Sequence, residues 1–432
     1  MSHDTLKTCL LTASLPWLLG GTAFANDWPQ WRGPARDGHV ADFDAPDQWP
    51  ETLTKQWSVT VGDGVATPAL VGDRLYVFSL QDGREILRCL DAATGDAIWT
   101  DEYEAEGADG PARSFTGPRS SPAVGEGRVV TVGVRGTVSC VDAATGAVVW
   151  RKDDFNAWPR FFTSSSPIIA DGTCIVLLGG DSDGAIVAYD LATGEPAWTW
   201  AGDGAAYGSP IPATLDGRRI ILCETAHKLV ALDASTGVLC WEMPSEVRGR
   251  GYNTITPIVD GDTVIISGAG RGTRAIGLRA QDDAIAGDEA WVNDELSIQF
   301  NSPIKKGDGV YGVSNANILF CIDARSGATA WTTPVTGEQA EEQGQGQEQG
   351  EGGGRRRRGG GGGGYGSIID AGPVLMTLTP RAELIVFRPD LESFAEIRRY
   401  KVASSETYAY PVLSGRRLFV KDKDSITLWT ID

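Results

Sequence analysis

The sequence predicts an all-β fold: an eight-bladed β-propeller of four-stranded antiparallel blades, its ring closed by pairing of the N- and C-terminal segments. Three observations predict it. One phrase returns along the chain: CLDAATGDAIW ends at Trp99, CVDAATGAVVW at Trp150, AYDLATGEPAW at Trp198, ALDASTGVLCW at Trp241 and CIDARSGATAW at Trp331. The first four copies lie about 43 to 51 residues apart, the length of one propeller blade. The two chain ends, finally, hold complementary pieces of one such unit.

Each unit has the same order. A short strand opens near Ser-Pro, as in SSPAV at 120–124. A Gly turn leads to a β-branched run such as RVVTVG, a third strand enters the phrase and a fourth ends on Trp. Within the phrase the Asp accepts N–H bonds from the turn after it, and the Thr adds a weaker bond. The Gly supplies the positive φ that closes the hairpin, and the Trp packs a large flat surface between sheets. The structural set is therefore Asp91, Gly95 and Trp99; Asp142, Gly146 and Trp150; Asp190, Gly194 and Trp198; Asp233, Gly237 and Trp241; and Asp323, Gly327 and Trp331. One blade exposes both faces of its sheet, so the unit must recur until the ring closes.

Three blades depart from the phrase. AIGLRAQDDAIAGDEAW ends at Trp291, with Arg279 where Asp is expected. A second runs from Ser367 through VFRPDLESFAEIRRY, with Arg388 in the Asp slot and Tyr400 in the Trp slot. The last begins at YPVLSGRRLFV and runs out at SITLWTID without its final strand; KQWSVTV, with Trp57, has the form of that strand. Pairing the two ends removes an exposed sheet edge.

Residues 1–25 read as a signal peptide. The apolar run Cys9 to Leu19 is too short to span a bilayer, and Ala23-Phe24-Ala25 sets cleavage after Ala25. Residues 26–52 form an N-terminal extension in which DWPQWRGPARDGHV, Asp27 to Val40, is expected to pack across one face or the outer edge of the ring. The propeller occupies 53–432. Residues 338–364, rich in Gln, Glu, Gly and Arg, bury no apolar surface and are expected to form a disordered loop between the sixth and seventh blades. The run Arg355 to Arg358 either grips an anionic partner or offsets the acidic half of its own loop. No later segment is apolar enough for a membrane helix. The mature protein is expected to be exported to the periplasm or cell envelope, not membrane-spanning, and monomeric. With 38 Lys and Arg against 57 Asp and Glu, the net charge of −19 argues against a general nucleic-acid binder.

Six cysteines follow the cleavage point. Cys89, Cys140 and Cys321 occupy one slot in three separate repeats, beyond disulfide reach of each other, so buried thiols are favoured over bridges. Cys223 and Cys240, in one blade, leave pairing open.

The phrase resembles the pyrroloquinoline-quinone (PQQ)-like repeat, A-x-D-x-x-T-G-x-x-x-W. The closing arrangement resembles the eight-bladed BamB-like propellers of the bacterial envelope, and WPQWRGPARDG, Trp28 to Gly38, resembles the opening of one exported bacterial branch. The resemblance implies the fold, not a reaction. Quinoprotein dehydrogenases with this repeat are larger, use the quinone with a calcium ion and carry a disulfide between adjacent cysteines; this sequence has no adjacent cysteine pair.

No other catalytic or metal constellation stands out. His39 and His227 are far apart, and no H-x-x-H or C-x-x-C spacing occurs. His227 reads as a turn or core histidine, and DSDG at 181–184 as a hairpin turn rather than a calcium loop. One grouping survives. The residues leading into each first strand ring one mouth of the central channel, in GPRSSP, RFFTSSSP, AAYGSP, RGYNTITP, QFNSP, GYGS and TYAYP. They supply Arg119, then Arg160 and Phe162, Tyr207, Arg250 and Tyr252, Phe300 and Asn301, Tyr365, and Tyr408 with Tyr410. Aromatic faces with arginine donors suit a sugar, an extended peptide segment of an envelope protein, or a flat anionic ligand. The same side chains would also serve simply to plug the channel.

The reading is a non-catalytic interaction or ligand-binding scaffold in the cell envelope, with no cofactor, BamB-like in outer-membrane protein assembly. The alternatives are a PQQ- and calcium-dependent oxidoreductase, or a carbohydrate-binding or carbohydrate-active propeller needing paired carboxylates drawn from Glu224, Asp181 or Glu406.

Overall fold

The computed structural model describes residues 27–247, 251–281, 284–335 and 364–432. Residues 1–25, read above as a signal peptide, Arg250, and residues 338–363 of the expected loop with its Arg355 to Arg358 run lie outside the described residues.

Eight four-stranded antiparallel sheets follow one another along the chain. Blades 1 to 4 span residues 69–104, 123–152, 168–200 and 211–244; blades 5 to 7 span 258–293, 304–334 and 367–401. Blade 8 takes three strands from 412–430 and its fourth from Thr54–Thr60, with Trp57 opposite Leu428. The ring closes as the sequence predicts.

Burial explains the strand patterns. The second strand of blade 1, RLYVFSLQ, is buried through five consecutive residues because both faces are covered by neighbours. The outermost strand, AIWTDEYE, alternates because one face meets solvent. Apolar clusters accordingly sit as wedges between blades: Tyr76 and Phe78 of blade 1 pack with Val129 and Val141 of blade 2, and Tyr311 of blade 6 with Phe387 of blade 7.

The phrase is a latch between blades. In blade 2, Asp142 Oδ1 accepts the N–H of Ala144 and of Thr145, at 3.1 and 3.0 Å. Gly146 closes the turn at φ +74°. A Cβ there would stand 2.5 Å from Cε3 of Trp99, the phrase Trp of blade 1. Trp99 Nε1 in turn donates to Ala143 O, just past Asp142. The pair recurs: Trp150 covers Gly194 and donates to Leu191 O at 3.0 Å, and Trp291 covers Gly327 and donates to Ala324 O at 2.7 Å. Each Gly is needed both for its left-handed backbone and for the close approach of the preceding blade's indole.

Two slot assignments need correction. Register places Trp291 opposite Ala275, which puts Gly277 and not Arg279 in the Asp slot of blade 5. In blade 7, Arg398 lies opposite Val386 in the Trp slot, and Tyr400 lies two residues beyond it. Without the Asp-capped turn the blade 5 hairpin continues pairing to Gln281, so spacing from the phrase no longer applies.

The six cysteines after residue 25 are free thiols, all but Cys240 buried. His227 is a turn residue, its Nδ1 2.8 Å from Asp203. In the DSDG turn Asp183 Oδ1 accepts the Gly180 N–H at 3.0 Å.

Candidate functional site

The Ser-Pro strand openings place the site. Their serines and threonines form a circlet around the channel. The Tyr410 N–H donates to Thr67 Oγ1, Thr67 N–H to Ser121 Oγ, Ser121 N–H to Ser166 Oγ and Ser166 N–H to Ser209 Oγ, each at 2.9–3.0 Å. Thr256 N–H likewise donates to Ser302 Oγ. These bonds tie blade 8 to blade 1, blades 1 to 4 in succession, and blade 5 to blade 6 by side-chain hydroxyls, satisfying buried N–H groups.

Inside the circlet lies residue 27–40 of the N-terminal extension. Of the two expected positions, one face or the outer edge, the outer edge is not taken: the segment lies across the centre of the ring and plugs the channel. Trp28 exchanges N–H···O bonds with Leu70 of blade 1, Pro29 O accepts from Val124 of blade 2, and Val40 N–H donates to Asp370 O of blade 7. Arg36 is fully buried and donates to Ser166 O and Pro167 O at 3.0 and 2.8 Å. Arg32, 1% exposed, donates to Pro303 O at 2.7 Å. Both arginines hold left-handed backbone, φ +60° and +58°, over-determined by these buried bonds. Trp31 Nε1 donates to Thr256 Oγ1 at 2.7 Å, and its ring meets Tyr410 edge-on at 4.8 Å.

Above Trp31 and Tyr410 opens a cavity of about 310 Å³. Of the predicted mouth residues it brings together Arg119, Tyr207, Tyr252, Phe300, Asn301, Tyr365, Tyr408 and Tyr410. The aromatics form two arcs. In one, Phe300 stacks on Tyr365 at 4.7 Å and 10°, Tyr365 meets Tyr408 at 4.9 Å, and Tyr408 meets Phe115 at 4.6 Å. In the other, Phe161, Tyr207 and Tyr252 contact one another with centroids 5.3–6.2 Å apart. Tyr207 Oη accepts the Phe161 N–H at 3.1 Å, which leaves its own hydrogen free to donate. Asn301 is 6% exposed and donates from Nδ2 to Val313 O and Gly364 O, so it holds the loop ahead of blade 7 rather than pointing both ends at a ligand.

Among the described residues Arg119 is the one charged side chain in the lining. It donates to Phe115 O at 2.7 Å and makes no ion pair among the described residues. Burial pulls its pKa down from the usual guanidinium value. Burial likewise lowers Arg36, to about 9, with Arg32 adding repulsion.

Two predicted mouth residues do not line the cavity. Phe162 takes φ +67° and turns away, 3% exposed, to stack on Trp158 beneath the Arg135 guanidinium. That reversal sends Phe161 inward in its place. Arg160 is exposed, its guanidinium 5.8 Å from the Phe161 ring. Phe115, Phe161 and Trp31 are the aromatic lining residues that sequence reasoning missed; Phe161 lies in the RFFTSSSP strand opening beside the predicted Phe162, and Phe115 and Trp31 lie outside the strand-opening pattern.

Neither alternative finds its donors here. Among the described residues the lining contains no carboxylate, thiol or imidazole. A calcium ion takes oxygen ligands with carboxylates among them, so the quinone–calcium pair does not fit this cavity. Glu224 is fully buried in an ion pair with Arg271 at 2.7 Å, and neither Asp181 nor Glu406 lines the cavity. No group of three or more His, Cys, Asp or Glu among the described residues is placed to hold a metal ion.

Comparison with known proteins agrees with this architecture. The chain is 23% identical over 303 residues to the outer membrane protein assembly factor BamB of Shewanella oneidensis, covering 64% of this chain and 69% of that protein. It is 29% identical over 139 residues to the quinohemoprotein alcohol dehydrogenase of Comamonas testosteroni, covering 31% of this chain but only 19% of the dehydrogenase. The crystal structure of BamB from Moraxella catarrhalis shares the fold, with a TM-score of 0.60 at 16% identity over 88% of this chain and 98% of that one. The family model described as outer membrane protein assembly factor BamB matches residues 83–333, more than half of the sequence, and the chain belongs to that family.

Proposed function

We propose that this propeller is a non-catalytic binding scaffold in outer-membrane protein assembly, working in the cell envelope and holding an extended segment of a protein partner at the rim of its mouth. One observation carries the reading: among the described residues the cavity offers aromatic faces, hydroxyls and a single guanidinium, and no acid, base or thiol nucleophile in its lining. Such a surface recognises without reacting. The family assignment and the names of the related BamB proteins support the setting. The reading calls for no quinone and no metal.

The test is complementation. The full chain, expressed in a bacterium lacking its own BamB, is expected to restore outer-membrane protein levels, and a Tyr252→Ala, Phe300→Ala double variant is expected to restore them less well. Full rescue by the double variant would move the partner surface away from the mouth. Failure of the folded, exported wild-type chain to rescue, together with dye reduction by an alcohol on adding the quinone and calcium, would favour the oxidoreductase.

A further inference from the structure

The chain carries a charge of −19, yet the cavity lining, among the described residues, holds a guanidinium and no carboxylate. Arg119 lines the cavity. Arg32, below the floor, lies 5.9 Å from the Tyr410 ring, and its Nε and Nη1 have no partner. Arg36 is bonded only to neutral oxygens: Gln30 Oε1, Ser166 O and Pro167 O. None of the three pairs with a carboxylate among the described residues. Cations without a carboxylate partner beside a concave surface raise the local concentration of an anion there.

The walls add shape. Seven aromatic rings in two arcs face a space closed below by Trp31 and Tyr410. Its volume falls within the range of small-molecule sites, roughly 300–1,000 Å³. Tyr207 has a hydroxyl hydrogen to give, and Arg119 has guanidinium hydrogens left after its bonds to Phe115 O, Ala112 O and Gly117 O.

We propose that this cavity binds a small, flat, singly charged anion, an aromatic carboxylate, with its ring between the aromatic arcs and its carboxylate on Arg119 and Tyr207. The net charge follows from the donors: one accessible guanidinium balances one carboxylate, and no lining acid or metal donor calls for more. The assignment goes beyond the scaffold role; it shares Tyr252 and Phe300 with that reading and is tested apart from it through Arg119.

The test uses indole-3-acetate as probe against the purified mature chain, with indole-3-acetamide as the uncharged control, both followed by calorimetry. The acid is expected to bind at least tenfold more tightly than the amide. Arg119→Gln should remove most of that tenfold preference, weakening the acid far more than the amide. Tyr365→Leu, which removes the ring stacked on Phe300, should weaken acid and amide together. Equal binding of acid and amide by wild type, or no binding of either by a chain whose circular dichroism is native, overturns the proposal. So does an Arg119→Gln variant that keeps the preference. Either failure leaves the complementation result untouched, so loss of the ligand site and loss of the scaffold reading are told apart.

Discussion

Gly146→Ala should be far more damaging than its backbone alone requires. Gly146 and Gly127 both lie in turns of blade 2 and both hold φ +74°. A methyl group at 127 meets nothing within 4 Å, whereas one at 146 meets Trp99 Cε3 at 2.5 Å and Cδ2 at 2.7 Å. Left-handed backbone costs an L-residue about 1–2 kcal/mol, common to both variants. Overpacking against a fixed side chain adds about 1–3 kcal/mol, at 146 only. Trp99 has little room to give, because its indole N–H is latched to Ala143 O at 3.2 Å. Guanidinium unfolding should therefore show a loss of about 1–2 kcal/mol for Gly127→Ala and about 2–5 kcal/mol for Gly146→Ala. In a Trp99→Leu background the excess should vanish, as coupling between contacting sites requires. Equal losses for the two glycines, or an excess that persists without Trp99, would refute the latch.

Further outcomes follow from other contacts. Ser121→Ala removes the acceptor of the buried Thr67 N–H, 3.0 Å away, and should cost about 1–3 kcal/mol in the same unfolding assay. Trp31→Phe keeps the cavity floor but deletes the donor to Thr256, and should lower the melting temperature measurably while shifting indole emission to the remaining tryptophans. Hydrogen bonds from Thr145, Thr193 and Ser326 hold the Asp142, Asp190 and Asp323 carboxyls below the usual aspartate value. These depressed groups contribute stability that is complete above about pH 4 and is lost as pH falls through their folded-state values. The melting temperature should therefore drop on acidification below about pH 4, with a shallower slope in Asp142→Asn.

The sequence made the ring legible because its information was periodic. Asp, Gly and Trp at fixed spacing mark a hairpin, and the complementary ends mark the closure. The close Gly–Trp approach was not legible, because it joins residues of successive blades. The same holds for the hydroxyl circlet: Ser-Pro was visible as a strand opening, but its role lies in the neighbouring blade's N–H. Periodicity also misled where the phrase was lost, as at Arg279 and Tyr400, because a hairpin without its capped turn changes length. At the mouth, one left-handed residue exchanged Phe162 for Phe161, and no pattern in RFFTSSSP signals which of two adjacent phenylalanines turns inward. The plug was visible as a tryptophan- and arginine-rich segment, but its place inside the channel depends on carbonyls contributed by several distant blades.

The central claim is that the aromatic mouth holds a partner without transforming it. Photo-crosslinking in living cells tests this most directly, with a benzophenone side chain placed at Phe300 on the rim or at Val148 on the outer edge, both exposed. The account predicts a discrete adduct with an outer-membrane assembly protein from position 300 and none from 148. Adducts from 148 alone, or from neither position in a folded and exported chain, would contradict it.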